Sequence, residues 1–225
     1  MSFYSEKFQR NPLTKVQQAR VRKTVFAIAG LGGTGGFMLE NLIRMGAENL
    51  MVFDSDRFEL SNFNRQALAT DDFLDMPKIH AALARAKTIN KNIAITASGH
   101  LDDKSDIRPA DIILDGTDTL ASKAAIAAAA RKAKLPYVFC SAASSRGMVS
   151  VFTTYRFEKA FQIQELPEYR HPACSDVLCP AASLAGTLAA SQALNYVLGK
   201  PYVKAPQALF FDLFREKIFW RARLG

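Results

Sequence analysis

Thr24-Val25-Phe26-Ala27-Ile28-Ala29-Gly30-Leu31-Gly32-Gly33-Thr34-Gly35-Gly36 is the stretch whose reading decides the fold. An apolar, β-branched run stops at a glycine-rich turn, and a helical pattern begins at once. The stretch reads as a strand, a phosphate-cradling loop and a helix N-terminus. Gly30 permits the tight turn, Gly32 and Gly33 leave room for backbone to approach a phosphate, and Gly35 lets helix and strand pack closely. The helix N-terminus adds free N–H groups and a positive dipole end. By itself this pattern means a nucleotide, with a dinucleotide the usual reading.

Outward from the loop, strands and helices alternate. A helix is expected over 13–22 before the first strand, 24–29. The post-loop helix runs to Met45, with Met38, Leu39, Leu42 and Ile43 on one face. Strands at 50–54, 93–97, 111–115 and 137–141 are separated by helical patterns ending near Asn90 and covering 120–134, with Pro77 at a helix start. This is a βαβ series and predicts a parallel sheet with right-handed crossovers. The pattern then changes. A strand at 148–154 follows too closely for a helical crossover and is expected to be antiparallel. Residues 155–179 show no periodicity and read as a long crossover loop. A helix over 181–198 and a final hairpin, 208–213 and 217–223, complete the chain. The fold class expected is α/β: a Rossmann-like mixed sheet, parallel in its N-terminal half, antiparallel at its C-terminal end, with helices on both faces. No repeat or low-complexity linker divides the 225 residues, so one domain over 1–225 is expected.

Composition narrows the classes. The polar first residues do not make a signal peptide. The apolar stretch 181–198 carries Ser183, Thr187, Ser191, Gln192 and Asn195, so it reads as a buried or interfacial helix and not a membrane span. Three cysteines without framework spacing argue against a disulfide scaffold and fit a reducing cytoplasm. The net charge of +8 suits an anionic substrate or an acidic partner. The charges are scattered and form no basic–aromatic stripe, so nucleic acid is not the expected ligand.

In an open parallel sheet, ligands sit at the carboxyl ends of strands. Asp54, Asp56, Asp115 and Asp118 fall there, as do Asn62, Arg65 and Gln66 after the second strand and Lys78 at the next helix start. A dehydrogenase could use the glycine loop and Asp54 but has no evident use for Arg65, Lys78 and Asp118 around one pocket. Two cations and a metal-capable carboxylate suit a triphosphate, whose pyrophosphate leaving group gathers charge.

Gly30-Leu31-Gly32-Gly33-Thr34-Gly35, Asp54-Ser55-Asp56, Ser61-Asn62-Phe63-Asn64-Arg65-Gln66, Pro77-Lys78 and Asp115-Gly116-Thr117-Asp118 together closely resemble the ThiF/MoeB/HesA family. These are ubiquitin-activating-enzyme-like adenylyltransferases that activate the C-terminal glycine of ubiquitin-fold sulfur-carrier proteins. The resemblance runs from about Phe8 to the last strand. It implies ATP and Mg²⁺ as cofactors, an acyl-adenylate product and a carrier protein ending in Gly-Gly as partner. Asp54 would hold the ribose, with the glycines of the loop and Asp56 around the nucleotide. Asn62, Arg65 and Lys78 would contact phosphates, and Asp118 would bind Mg²⁺. Arg10, in Phe8-Gln9-Arg10-Asn11, would reach a neighbouring subunit's ATP in a homodimer. Gly147-Met148-Val149 resembles the strand start lining the carrier-tail groove. Cys174 stands where the family places a cysteine near the adenylate, a candidate nucleophile unless an external sulfur donor acts.

The chain also departs from the pattern. The paired C-x-x-C motifs that hold structural zinc in many relatives are missing, so no structural zinc is expected. Thr119 stands where Asn is common, and the spacing from Cys174 to Pro180 is short. Simpler readings stand beside the sharp ones: Asp118 as a helix cap, Asp56 as a loop-ordering acid, Arg65 and Lys78 as surface ion pairs, Cys140 as core and Cys174 as a spare loop thiol. Alternative functions are a tRNA-modifying ATP-dependent dehydratase of the same family, an NAD(P)-dependent oxidoreductase and a nucleotide-dependent scaffold.

Overall fold

The computed structural model describes residues 3–101, 105–163 and 176–225. An eight-stranded sheet carries the order β3-β2-β1-β4-β5-β6-β7-β8. The strands are β1 Val25–Ala29, β2 Asn49–Phe53, β3 Ala94–Ser98, β4 Ile112–Asp115, β5 Tyr137–Ala143, β6 Arg146–Phe152, β7 Gln207–Asp212 and β8 Phe219–Arg223. Pairings from β3 to β5 are parallel, and those from β5 to β8 antiparallel. The expected mixed sheet is therefore present, with its change of direction at β5.

The helices are α1 Phe3–Phe8, α2 Lys15–Lys23, α3 Gly35–Arg44, α4 Lys78–Ile89, α5 Leu120–Lys132, α6 Phe157–Ala160 and α7 Cys179–Val197. Strand alternation sorts the core into two faces. Phe26 and Ile28 of β1, Ile112 and Leu114 of β4, and Val138 and Cys140 of β5 share one cluster with α3, α4 and α7. Ala27, Ala29, Ile113, Tyr137 and Phe139 share the other with α5 and α6. Both faces of these strands are covered, so they read as unbroken apolar runs. The edge strands β3 and β8 leave every second residue exposed.

Several bounds shift by one or two residues from the sequence expectation, and three differences have a clear physical reason. β6 starts at Arg146 because Gly147, a poor strand former, pairs with Ala142 beneath the Phe211 ring; a Cβ at Gly147 would lie 2.4 Å from that ring. α7 begins at Cys179, with Pro180 in the first turn, where its missing N–H costs nothing. Within 155–179, read as loop throughout, Phe157–Ala160 forms one helical turn. Phe157 is held by an aromatic cluster with Tyr137, Phe139, Phe152 and Phe161. Four residues are too few to show a period.

Candidate functional site

β1 and β4 are neighbours, yet the helices that follow them lie on opposite faces: α3 in one cluster, α5 in the other. That divergence opens a crevice at the carboxyl ends of the strands. A cavity of ≈ 360 Å³ fills it. Its walls include Gly30, Gly32, Gly33, Thr34, Asp54, Asp56, Arg65, Gln66, Lys78 and Asp118.

The loop is built as its sequence implies. Gly30 has φ +83° and Gly35 packs against it; a Cβ at Gly35 would lie 1.8 Å from the Gly30 carbonyl oxygen. Gly32 differs. A Cβ there would meet only the Gln66 amide, no nearer than 3.7 Å, so the fold itself does not need a glycine at this cavity-facing position. A ligand approaching the backbone does.

Asp54 lies just past β2 and is buried. Its Oδ2 accepts from the Leu31 N–H at 2.6 Å and its Oδ1 from the Asp56 N–H at 2.8 Å. Burial pushes its carboxyl above the usual range; the Leu31 N–H, the Lys78 charge and the Asp56 N–H oppose that shift. Asp54 thereby ties the glycine loop to the segment after β2.

Lys78 opens α4 and is buried. Its Nζ donates to Asp56 Oδ2 at 3.0 Å, with side-chain exposures of 7% for Lys78 and 68% for Asp56. A partner that exposed is screened by water, so the Lys78 charge keeps attraction for an anion in the cavity. The Asp56 carboxylate is thus the partner of Lys78, while the loop-ordering bonds from backbone N–H groups go to Asp54. Arg65 Nη1 donates to the Ser61 carbonyl at 2.7 Å and to Asn64 Oδ1 at 2.8 Å. Its own loop aims it, and no carboxylate pairs with it among the described residues.

Asp118 is exposed at the cavity, and the capping role belongs to its neighbour: Thr119 Oγ1 accepts from the Ser122 N–H at 3.1 Å at the start of α5. A carboxylate at the wall of a nucleotide-sized cavity fits Mg²⁺, which is held by one or two carboxylates together with phosphate oxygens. No cluster of three or more His, Cys, Asp or Glu for a protein-only metal site occurs among the described residues.

Two expected residues stand elsewhere. Asn62 does not line the cavity. Buried in its loop, it accepts from the Glu59 N–H at 3.2 Å through Oδ1. Arg10 is exposed, beyond α1, and does not line its own chain's cavity. Cys174 lies outside the described residues. Cys140 is core, with burial pushing its thiol up to about 11.

Other wall residues were not singled out from sequence. Phe53, Leu101 and Ile126 form an apolar part of the wall, with His100 and Ser122 beside it. His100 and Leu101 follow β3, so the strand-end rule could have found them. Gln66, which the sequence does place at this edge, turns its amide toward Gly32, and its Oε1 is buried without a hydrogen-bond partner among the described residues. Lys123, behind the cavity wall, gave no sequence signal beyond a charge in an alanine-rich helix.

A cavity at a sheet's switch point, with a glycine loop, two cations and an exposed carboxylate in its wall, defines a nucleotide-binding α/β protein. The chain belongs to the ThiF family, whose model matches residues 4–224. It is 31% identical over 202 residues to the molybdopterin-synthase adenylyltransferase of Escherichia coli K12, covering 87% of this chain and 81% of that protein. It is 33% identical over 191 residues to the Haemophilus influenzae protein of that name, covering 79% and 76%. To the Escherichia coli sulfur carrier protein ThiS adenylyltransferase it is 28% identical over 205 residues, covering 87% and 81%. Among solved structures, Escherichia coli MccB with MccA-N7isoASN superposes with a TM-score of 0.82 at 17% identity, covering all of this chain and 73% of that one. PaaA superposes with a TM-score of 0.79 at 18% identity, covering all of this chain and 75% of that one. These likenesses establish the fold.

Proposed function

We propose that this protein is an ATP-dependent adenylyltransferase acting on the C-terminal glycine carboxylate of a small ubiquitin-fold sulfur carrier ending in Gly-Gly. The observation that carries the reading is the cavity's charge arrangement: Lys78 buried beside an exposed acid, Arg65 with no carboxylate partner among the described residues, and Asp118 in the same wall, relieved of capping by Thr119. The names of the family relatives support the substrate class.

ATP would enter with its phosphates over Gly32 and Gly33, flanked by Lys78 and Arg65; Asp118 would hold the accompanying Mg²⁺, which would neutralise phosphate charge. The carrier's carboxylate oxygen attacks the α-phosphorus. The bond from that phosphorus to the β-phosphate bridging oxygen breaks, giving an acyl-adenylate and pyrophosphate. A glycine carboxyl is already ionised at neutral pH, so no general base is needed. The protein's part is positioning and neutralising charge on the departing pyrophosphate. This reading assigns no step to Cys174 and no structural zinc. It includes a homodimer in which Arg10 acts on the neighbour's ATP.

The test is ATP–pyrophosphate exchange with a Gly-Gly-ending ubiquitin-fold carrier and Mg²⁺. Lys78→Ala and Asp118→Ala are each expected to lower exchange, by roughly the hundred- to thousandfold seen when a transition-state charge contact is removed. Undiminished exchange in both variants overturns the assignment.

A further inference from the structure

Behind the cavity wall, four chain segments meet at one buried cation. Lys123 of α5 has a side chain 5% exposed and does not line the cavity. Its Nζ donates to the Thr117 carbonyl at 2.7 Å and to the Cys140 carbonyl at 2.8 Å, and lies 3.4 Å from Asp115 Oδ1. The Phe139 ring packs beneath it, 5.4 Å from ring centre to Nζ. Asp115 is fully buried. Its Oδ1 also accepts from the Thr117 N–H at 2.8 Å and the Thr117 hydroxyl at 2.6 Å, and its Oδ2 accepts from the Tyr137 hydroxyl.

A buried ion pair is seldom more stabilising than well-packed apolar side chains of the same volume, so stability alone does not account for it. The atoms it gathers suggest another use. The Thr117 carbonyl belongs to the peptide that joins Thr117 to Asp118, and the Cys140 carbonyl to the peptide that joins Cys140 to Ser141. Asp118 and Ser141 both line the cavity. Lys123 therefore holds two wall-forming peptides in fixed register from behind.

We infer that Lys123 is a positioning residue: through the Thr117 carbonyl it fixes the Asp118 carboxylate toward the divalent cation that accompanies the bound nucleotide. The inference rests on the proposed nucleotide reading of the cavity. Removing the strut leaves Asp118 in place chemically but free to swing with its turn. Loss of a supporting partner of this kind costs about ten- to hundredfold in metal affinity.

The experiment is electron paramagnetic resonance of Mn²⁺ binding to the full chain with a non-hydrolysable ATP analogue, with folding checked by thermal melting. Lys123→Met is expected to weaken Mn²⁺ binding by that factor. Lys123→Arg keeps charge and donors, but its planar head cannot occupy the same point between the two carbonyls, so a smaller weakening is expected. In an Asp118→Asn background, either substitution is expected to cost nothing further, because the group it positions has lost its charge. Wild-type Mn²⁺ affinity in a folded Lys123 variant, or a loss that multiplies with that of Asp118→Asn, overturns the inference. If Lys123→Met does not fold, Lys123→Arg decides. Failure of the wild type itself to bind Mn²⁺ with the analogue overturns the nucleotide reading instead, and the inference with it.

Discussion

Asp54 and Asp212 both close a strand's C-terminal end and both accept backbone N–H groups, but their acidities move in opposite directions. For Asp54 burial dominates and raises the pKa; for Asp212 the Ser145 hydroxyl leads in lowering it, joined by the Phe214 N–H and the Arg146 guanidinium. The signs follow from linkage. A carboxyl with a raised folded pKa favours the fold more as pH falls, so the Asp54 contribution weakens as pH rises from the ordinary range through its raised value. The Asp212 contribution is present above the unfolded value of about 3.9 and is lost as pH falls through its lowered value. Urea unfolding at a series of pH values should therefore show wild type and Asp212→Asn furthest apart near neutrality and converging below about pH 4. A gap constant with pH would contradict this. A ¹³C titration should place the Asp54 carboxyl above the ordinary range and the Asp212 carboxyl below it.

At the scale of elements, α7 acts on the glycine loop through close packing. Its inner face is nearly all alanine, and at Gly186 it meets the backbone just before α3: a Cβ there would lie 2.3 Å from the Thr34 carbonyl oxygen and 3.0 Å from the Phe37 Cβ. Backbone cannot rotate aside as a long side chain would. Gly186→Ala gains roughly 1 kcal/mol of helix propensity. It also incurs overpacking of roughly 1–3 kcal/mol. The expected outcome is a lower melting temperature. Weaker nucleotide binding should accompany it, since Thr34 lines the cavity and its hydroxyl donates to the Gly116 carbonyl at 3.3 Å. Calorimetry on the variant checks both; an unchanged affinity would show that α7 does not set the loop.

For the molecule as a whole, the open question is what Arg10 meets. The N-terminal segment is docked: Asn11 Nδ2 donates to Gln18 Oε1 at 3.1 Å and to the Met45 carbonyl at 3.2 Å. Arg10 is exposed and away from its own cavity. If it serves a nucleotide, it serves that of a second copy. Mixed dimers of Arg10→Ala with Lys78→Ala chains should regain part of the exchange activity, because one of the two cavities then has both groups. Verified mixed dimers without recovery would remove Arg10 from the site. The likeness to the family spans nearly the whole chain, residues 4–224.

Local rules account for what could be read without coordinates. Gly30 must take positive φ, the strands from β1 to β5 must be apolar where both faces are covered, and Asp54, Lys78 and Asp118 fall at strand or helix ends that a parallel sheet gathers on one edge. Each depends on a few neighbouring residues and on a topology nearly forced by the βαβ alternation. Other features depend on which groups meet after the strands have paired. Asn62 turns into its own loop, and Thr119 takes the cap that Asp118 could have formed. The turn at Phe157–Ala160 exists because Phe157 packs among four other aromatic rings. Lys123 finds the carbonyls of Thr117 and Cys140 only because β4 lies beside β5 and α5 crosses behind both. A lysine in an alanine-rich helix carries no local mark of that role; burial beside Asp115 creates it.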